Sequence, residues 1–95
     1  MARRTDENQE RIVAALRAVG CSVECLHAVG RGVPDLAVGV PSTGATLLLE
    51  VKSATGKLTP EQQEWHAKWR GHVAVVRSIE EALRAVGCGG EESAA

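Results

Sequence analysis

Two segments decide the fold of this chain: Gly32-Val33-Pro34-Asp35 and Leu47-Leu48-Leu49-Glu50-Val51-Lys52. The second is an apolar strand pattern that ends in opposite charges. Because the side chains of a strand alternate between its faces, Glu50 and Lys52 point to the same side as Leu48. Charges on a buried strand are costly unless they are paired or bind a metal. A hairpin between the two segments brings Asp35 close to both charges, and two carboxylates with a lysine suit a divalent cation that activates water beside a phosphate.

The composition is that of one small globular domain. The chain has 95 residues, 44% of them hydrophobic and 24% charged, which excludes a disordered protein. The net charge of -1 argues against a purely electrostatic DNA binder, although an acidic site also lowers the net charge of a nuclease. No apolar stretch has the length of a membrane span, and the polar N-terminus has no signal-peptide core. We therefore expect a cytoplasmic protein without a membrane partner.

The periodicity of the apolar residues predicts seven elements in the order α-β-β-β-α-β-α. The first helix spans 6–19 from an Asp6 cap, the strands span 21–28, 36–40, 46–52 and 72–77, the second helix runs from a Thr59 cap to Gly71, and a short last helix ends at Gly87. We expect the first three strands to form an antiparallel meander and the second helix to add the fourth strand in parallel. The predicted domain is 6–87, between a flexible arm at 1–5 and a disordered tail at 88–95.

Helical wheels assign inward faces to the two longer helices. On the first helix, Asn8 and Gln9 lie on the inward, apolar face, whereas Glu10 points mostly away from it. On the second helix, Trp65 and Trp69 recur at helical spacing and are predicted core residues.

The chain resembles the restriction-endonuclease-like nucleases with the PD-(D/E)xK motif, and more closely the small stand-alone VRR-NUC domains of phages and prophages. The segments that carry the resemblance are Gly32–Asp35, Leu49–Lys52 and Lys57–Gln62, the last leading to Trp65. The resemblance implies one restriction-endonuclease-like domain, with an αβββαβ core, a mixed four-stranded sheet and a short C-terminal helix. It also implies a metal-dependent DNA endonuclease that uses Mg²⁺ or Mn²⁺.

The resemblance assigns roles to four residues at the end of the third strand. Asp35 and Glu50 would bind one or two metal ions, together with the backbone carbonyl of Val51. Lys52 would orient or polarise the attacking water and stabilise charge on the phosphate. Without Asp35 and the flanking motifs, a plain cross-strand ion pair on an edge strand would be the favoured interpretation of Glu50 and Lys52, and Asp35 could be a turn residue after Pro34.

Two further positions are implied by the resemblance. Relatives carry an acidic residue on the first helix near the site: here Gln9 has the inward face but no negative charge, whereas Glu10 has the charge but the wrong face. Either Gln9 takes this place through its amide, which we favour, or the helix is rotated and Glu10 serves as a metal ligand. Gln62, which capping alone also explains, matches a polar position near the site.

Other polar residues give weaker signals. Arg31, Gly32 and Lys57 are candidate contacts to DNA phosphates, since glycine lets backbone N–H groups approach closely, but an ordinary flexible loop at residues 30–32 explains the glycines equally well. Cys21 and His27, with Cys25 between them, alternate on the first predicted strand. At ~3.3 Å per residue, Cys21 and His27 lie about 20 Å apart, which is too far for one zinc ion to bind all three side chains.

The sequence leaves three functional hypotheses. The first is an endonuclease that selects branched or junction DNA by shape rather than by sequence, acting as a homodimer as small relatives do. The second is a catalytically inactive DNA-binding or adaptor module on the same fold, which the missing acid on the first helix favours. The third is an unrelated small α/β interaction protein in which the two carboxylates lie far apart.

Overall fold

The computed structural model describes residues 2–88, with side chains from Glu7 onward. The elements follow the predicted order, and their bounds are α1 (Ala2–Ala18), β1 (Ser22–Cys25), β2 (Leu36–Val40), β3 (Ala45–Val51), α2 (Pro60–Lys68), β4 (Val73–Val76) and α3 (Ile79–Ala85). Across these residues no helix is both long and apolar enough to cross a membrane.

The four strands form one mixed sheet in the order β1-β2-β3-β4. β1, β2 and β3 pair antiparallel, and β4 pairs with β3 in parallel. The predicted fold class, a single α/β domain whose meander is extended by one parallel strand, is therefore confirmed. β3 lies between β2 and β4, so Glu50 stands on an interior strand and not at an edge of the sheet.

The apolar core lies between one face of the sheet and the helices α1 and α3. Ile12 and Leu16 of α1 have no solvent exposure, and they pack in one cluster with Leu49, Val76 and Ala82. The apolar positions of α1 recur every three to four residues, and those of β3 recur every second residue, so each element turns one face to this core. On the opposite face of the sheet, Leu48, Val73 and Val75 are only half-buried.

Several predicted boundaries and burials differ from the structure. α1 begins at Ala2, so Asp6 lies inside the helix and not at its cap, and residues 2–5 of the predicted arm are helical. β1 ends at Cys25 instead of continuing to residue 28, because the backbone turns where Val29 N–H donates to the Leu26 carbonyl. Residues 89–95 of the predicted tail lie outside the described residues.

α2 begins as predicted but packs differently. Thr59 is the N-cap, and Thr59 and Gln62 form the predicted capping box, with Pro60 at the first helical position. No residue of α2 is fully buried. Trp69 is 44% exposed and stacks on Trp65 with ring centroids 4.7 Å apart, so the prediction that Trp69 is a core residue is wrong. The helix therefore adds no fully buried residue to the core.

Candidate active site

The pairing of β2 with β3 brings the two predicted carboxylates together. The register joins Leu36 to Leu49, so Asp35, which directly precedes β2, lies opposite Glu50. One carboxylate oxygen of Asp35, Oδ2, accepts a hydrogen bond of 2.8 Å from the Val51 N–H. This bond fixes the Asp35 side chain against the end of β3, and the Asp35 carboxylate is close enough for its negative charge to raise the pKa of Glu50. The hypothesis of an unrelated fold with distant carboxylates is therefore excluded.

Glu50 is the buried acid of the site. Its side chain is 2% exposed, and its Oε1 atom has no hydrogen-bond partner in the part of the chain that the structure describes. Burial, followed by the neighbouring negative charge of Asp35, raises the pKa of Glu50 to about 7, while Lys52 acts in the opposite direction. A buried carboxylate with one free oxygen is costly for stability, which is typical of groups retained for function.

Lys52 supplies the positive charge next to Glu50. Its Nζ atom lies 3.6 Å from Oε2 of Glu50, and its side chain is 17% exposed. The distance gives an ion pair that is too long for a good hydrogen bond. Because the pair is largely buried and β3 is an interior strand, a plain surface ion pair on an edge strand does not describe these residues.

Gln62 reaches the site from the first turn of α2. Its Nε2 donates to Oε2 of Glu50 over 3.2 Å, while its Oε1 accepts from the Thr59 N–H over 2.9 Å. The same side chain therefore closes the capping box and binds the buried carboxylate. Capping therefore does not exclude a contact with the site, and a catalytic role for Gln62 stays a prediction.

The backbone carbonyl of Val51 is free of the β-ladder on the side of β2. Val51 N–H points to β2, since it donates to Asp35, and the carbonyl of the same residue points to the same side. Continuing the register by two residues from Leu36 and Leu49 places Pro34 opposite Val51. Proline has no N–H to donate. The carbonyl of Val51 is thus available as an oxygen ligand beside the two carboxylates.

The residue of α1 that contacts the end of β3 is Asn8. Its Nδ2 donates to the carbonyls of Lys52 over 3.1 Å and of Arg77 over 3.4 Å. Gln9 and Glu10 instead line a groove of about 300 Å³ that extends along α1 to Cys25. Asn8 was on the inward face of the wheel, four residues before Ile12, and this spacing was the signal that could have identified it. Whether Gln9 or Glu10 joins the site stays a prediction.

Two more side chains near the site were not predicted to belong to it. His66 lies one turn after Gln62, and its Nε2 atom is buried without a partner among the described residues. Burial, together with the charge of Lys52, lowers the pKa of His66 and so favours the neutral imidazole. Arg77 donates from Nη1 to the carbonyls of Ser53 and Gly56, over 2.7 and 2.6 Å, and thereby fixes the loop that follows β3.

The candidate phosphate contacts lie in the loop that precedes Asp35 and in the loop that follows β3. Arg31 and Lys57 are exposed. Arg31 adopts a φ of 60°, between Gly30 at 72° and Gly32 at 82°, so three successive residues are left-handed. Glycine explains two of these three positions, because it adopts a positive φ without steric cost, and contact of this loop with DNA stays a prediction.

The sheet, the two opposed carboxylates and the lysine two residues after the second of them define the class of PD-(D/E)xK nucleases. Comparisons with known proteins identify the family. The sequence profile of the VRR-NUC domain matches residues 2–85. A solved structure described as a VRR_NUC domain superposes with a TM-score of 0.72 at 30% sequence identity, over 86% of this chain and 92% of that chain. No curated protein matches the chain. This chain belongs to the VRR-NUC domain family, a family of nuclease domains.

Proposed function

We propose that this protein is a metal-dependent endonuclease that hydrolyses DNA phosphodiester bonds. The observation that carries the proposal is the buried Glu50 carboxylate, which has one unpartnered oxygen and lies opposite Asp35 and beside Lys52. Membership in a nuclease domain family supports a nuclease function, and the donor set supports the metal.

The residues of the site fit Mg²⁺ or Mn²⁺. Both ions prefer oxygen ligands, and Mg²⁺ commonly takes only one or two carboxylates and keeps several waters. Asp35, Glu50 and the Val51 carbonyl would hold the ion. Among the described residues no group of three or more His, Cys, Asp or Glu side chains surrounds a common point, so a site with few protein ligands is the one that this chain offers. A bound ion supplies charge neutralisation at the phosphate and lowers the pKa of water.

The other side chains of the site act on substrate and ligands. The ammonium group of Lys52 would stabilise negative charge on the phosphate or orient the attacking water. Gln62 fixes the orientation of Glu50 by its amide. On α1, Gln9 or Glu10 would complete the site through an amide or a carboxylate, and a Glu10 carboxylate would allow a second ion.

DNA would lie over the exposed loop residues next to the carboxylates. Arg31 and Lys57 are exposed cations that can pair with phosphates, and Gly32 belongs to the same loop as Arg31. Because the net charge of the protein is -1, it does not attract DNA as a whole, and the attraction must come from these local cations. The small domain has no separate element for reading bases, so we propose selection of branched or junction DNA by shape.

We further propose a homodimer in a bacterial cytoplasm, in the context of a phage or prophage. The half-buried sheet face with Leu48 and Val75, and Trp69 at 44% exposure, provide apolar surface for a second copy. A two-fold dimer would present two sites to a duplex or junction. Sedimentation equilibrium tests this: the wild type should sediment as a dimer and Trp69→Lys as a monomer.

The decisive experiment is cleavage of labelled duplex, flap and four-way-junction DNA with Mg²⁺ or Mn²⁺, comparing the wild type with Lys52→Ala. Metal-dependent cutting that is lost in the variant supports the nuclease, and the preferred substrate tests the selection of branched DNA. Lys68→Ala is the matched control, since Lys68 also pairs with a glutamate but lies exposed on α2.

The second candidate is a catalytically inactive DNA-binding or adaptor module. One observation favours it: the side chain that α1 presents to the end of β3 is the neutral Asn8. Calorimetry with Mn²⁺ separates the candidates. Binding that is lost in Glu50→Ala favours the nuclease, whereas DNA binding without metal binding or cutting favours the module.

A further inference from the structure

The loop before β2 contains two glycines with the same backbone and different surroundings. Gly30 has a φ of 72° and Gly32 a φ of 82°, a region that glycine adopts without steric cost. A Cβ atom on Gly30 would meet nothing within 4 Å. A Cβ atom on Gly32 would lie 2.7 Å from the carbonyl oxygen of Glu61 and 3.3 Å from the backbone nitrogen of Gln62. Gly32 therefore lies against the first turn of α2, whereas the side-chain position of Gly30 faces open space.

The contact at Gly32 cannot be relieved by a side-chain rotation, because the opposing atoms belong to the backbone of α2. Adding a Cβ atom would move either the loop or the first turn of the helix. That turn carries Gln62, whose amide is held at both ends. Its oxygen accepts from the Thr59 N–H, so its NH₂ group must face Glu50. A displaced turn therefore displaces the donor from the carboxylate.

The orientation of Glu50 depends on this donor. Gln62 engages Oε2, and Oε1 remains buried and unpartnered. Fixing one oxygen of a carboxylate leaves the other directed to a ligand. Hydrogen-bond partners of a metal-binding side chain typically contribute about 10–100-fold to metal affinity.

We propose that Gly32 is a positioning residue of the active site: its missing Cβ lets the N-terminus of α2 contact the loop, and this contact sets the Gln62 amide on Glu50. That Glu50 binds a divalent cation rests on the proposed function. The series of contacts from Gly32 through Gln62 to Glu50 does not depend on it.

The first test is a matched pair of variants, Gly32→Ala and Gly30→Ala, in the metal-free protein. Both give a Cβ atom to a left-handed residue, so both lose stability for the same backbone reason. The side-chain amide resonances of Gln62 in a ¹⁵N–¹H NMR spectrum report its two hydrogen bonds. They should shift in Gly32→Ala and stay at their wild-type positions in Gly30→Ala. Equal spectra for the two variants would overturn the proposal.

The second test is a double-mutant cycle on Mn²⁺ affinity, measured by calorimetry. Gly32→Ala and Gln62→Leu should each weaken binding about 10-fold or more, and Gly30→Ala should not change it. If Gly32 acts through Gln62, the double variant should bind as weakly as Gln62→Leu alone. Losses that add in the double variant would contradict the proposal. Gln63→Leu, on the neighbouring exposed residue, controls for the change of residue type.

The experiments distinguish a failure of the proposed metal-dependent function from a failure of the proposed role of Gly32. A wild type that binds no Mn²⁺ would overturn the metal-dependent function, and the NMR comparison would still decide the role of Gly32. If Gly32→Ala does not fold, the pair Gly32→Asn and Gly30→Asn asks the same question, since asparagine adopts the left-handed region more readily than alanine and still carries a Cβ atom.

Discussion

Helices α1 and α2 contact the same sheet in different ways. α1 inserts Ile12 and Leu16, both without solvent exposure, into the apolar core. α2 buries no residue completely: its first turn donates one hydrogen bond to the sheet, from Gln62 to Glu50, and its backbone approaches Gly32 closely, while its own capping box fixes the Gln62 side chain. Burial of apolar side chains stabilises the domain, whereas polar contacts of this kind orient groups at modest gain in stability. The comparison indicates that α1 maintains the fold and α2 arranges the active site.

The largest effect that this comparison predicts is on stability. Leu16→Ala should lower the free energy of unfolding by about 2–5 kcal/mol, because it leaves a cavity in the core beneath α1. Trp69→Ala, at the C-cap of α2, replaces a larger residue that is 44% exposed and should cost less. Urea denaturation measures both. Equal losses, or a larger loss for Trp69→Ala, would contradict the division between the helices.

A second prediction concerns pH and the site beneath α2. The pKa of Glu50 is raised from 4.5 to about 7 by burial and by Asp35. Between these values the folded protein keeps a proton that the unfolded chain has released, so the free energy of unfolding should fall as the pH rises from about 4.5 to about 7. Thermal denaturation of the metal-free protein over this range measures the slope.

Glu50→Gln is the control for the pH prediction. It removes the titrating group and keeps the size of the side chain, so the fall in stability over this range should be reduced. Leu16→Ala should lower stability and leave the pH dependence as it is in the wild type. An unchanged slope in Glu50→Gln would show that another group is responsible.

The sequence predicts the parts of this site that depend on local pattern. The alternation along residues 47–52 places Glu50 and Lys52 on one face, and the Thr59 and Gln62 spacing predicts the capping box that the structure contains. Asp35 falls opposite Glu50 because a short hairpin fixes the register of its two strands. These are short-range relations, which residue spacing determines.

The remaining parts depend on distant segments of the chain. The spacing of Asn8 to Ile12 places Asn8 on the inward face of α1, but it does not identify the partner of Asn8, the Lys52 carbonyl 44 residues away. Gly32 resembles any loop glycine until the position of α2 is known. Trp69 has the spacing of a core residue, yet it is the C-cap of α2, a helix without a fully buried residue, and it is 44% exposed. Tertiary placement, which periodicity does not encode, decides all three.

The smallest predicted effect concerns the N-cap residues of α2 and α3, which make equivalent hydrogen bonds but differ in their distance from the active site. Thr59 Oγ1 accepts from the Gln62 N–H, and Ser78 Oγ accepts from the Glu81 N–H, both over 3.1 Å. Thr59→Ala and Ser78→Ala should each cost about 1 kcal/mol in the free energy of unfolding. Only Thr59→Ala loosens the turn that carries Gln62, so only this variant should weaken Mn²⁺ binding. If both variants lower Mn²⁺ affinity equally, α2 has no special role at the site, and general loosening of the domain accounts for the loss.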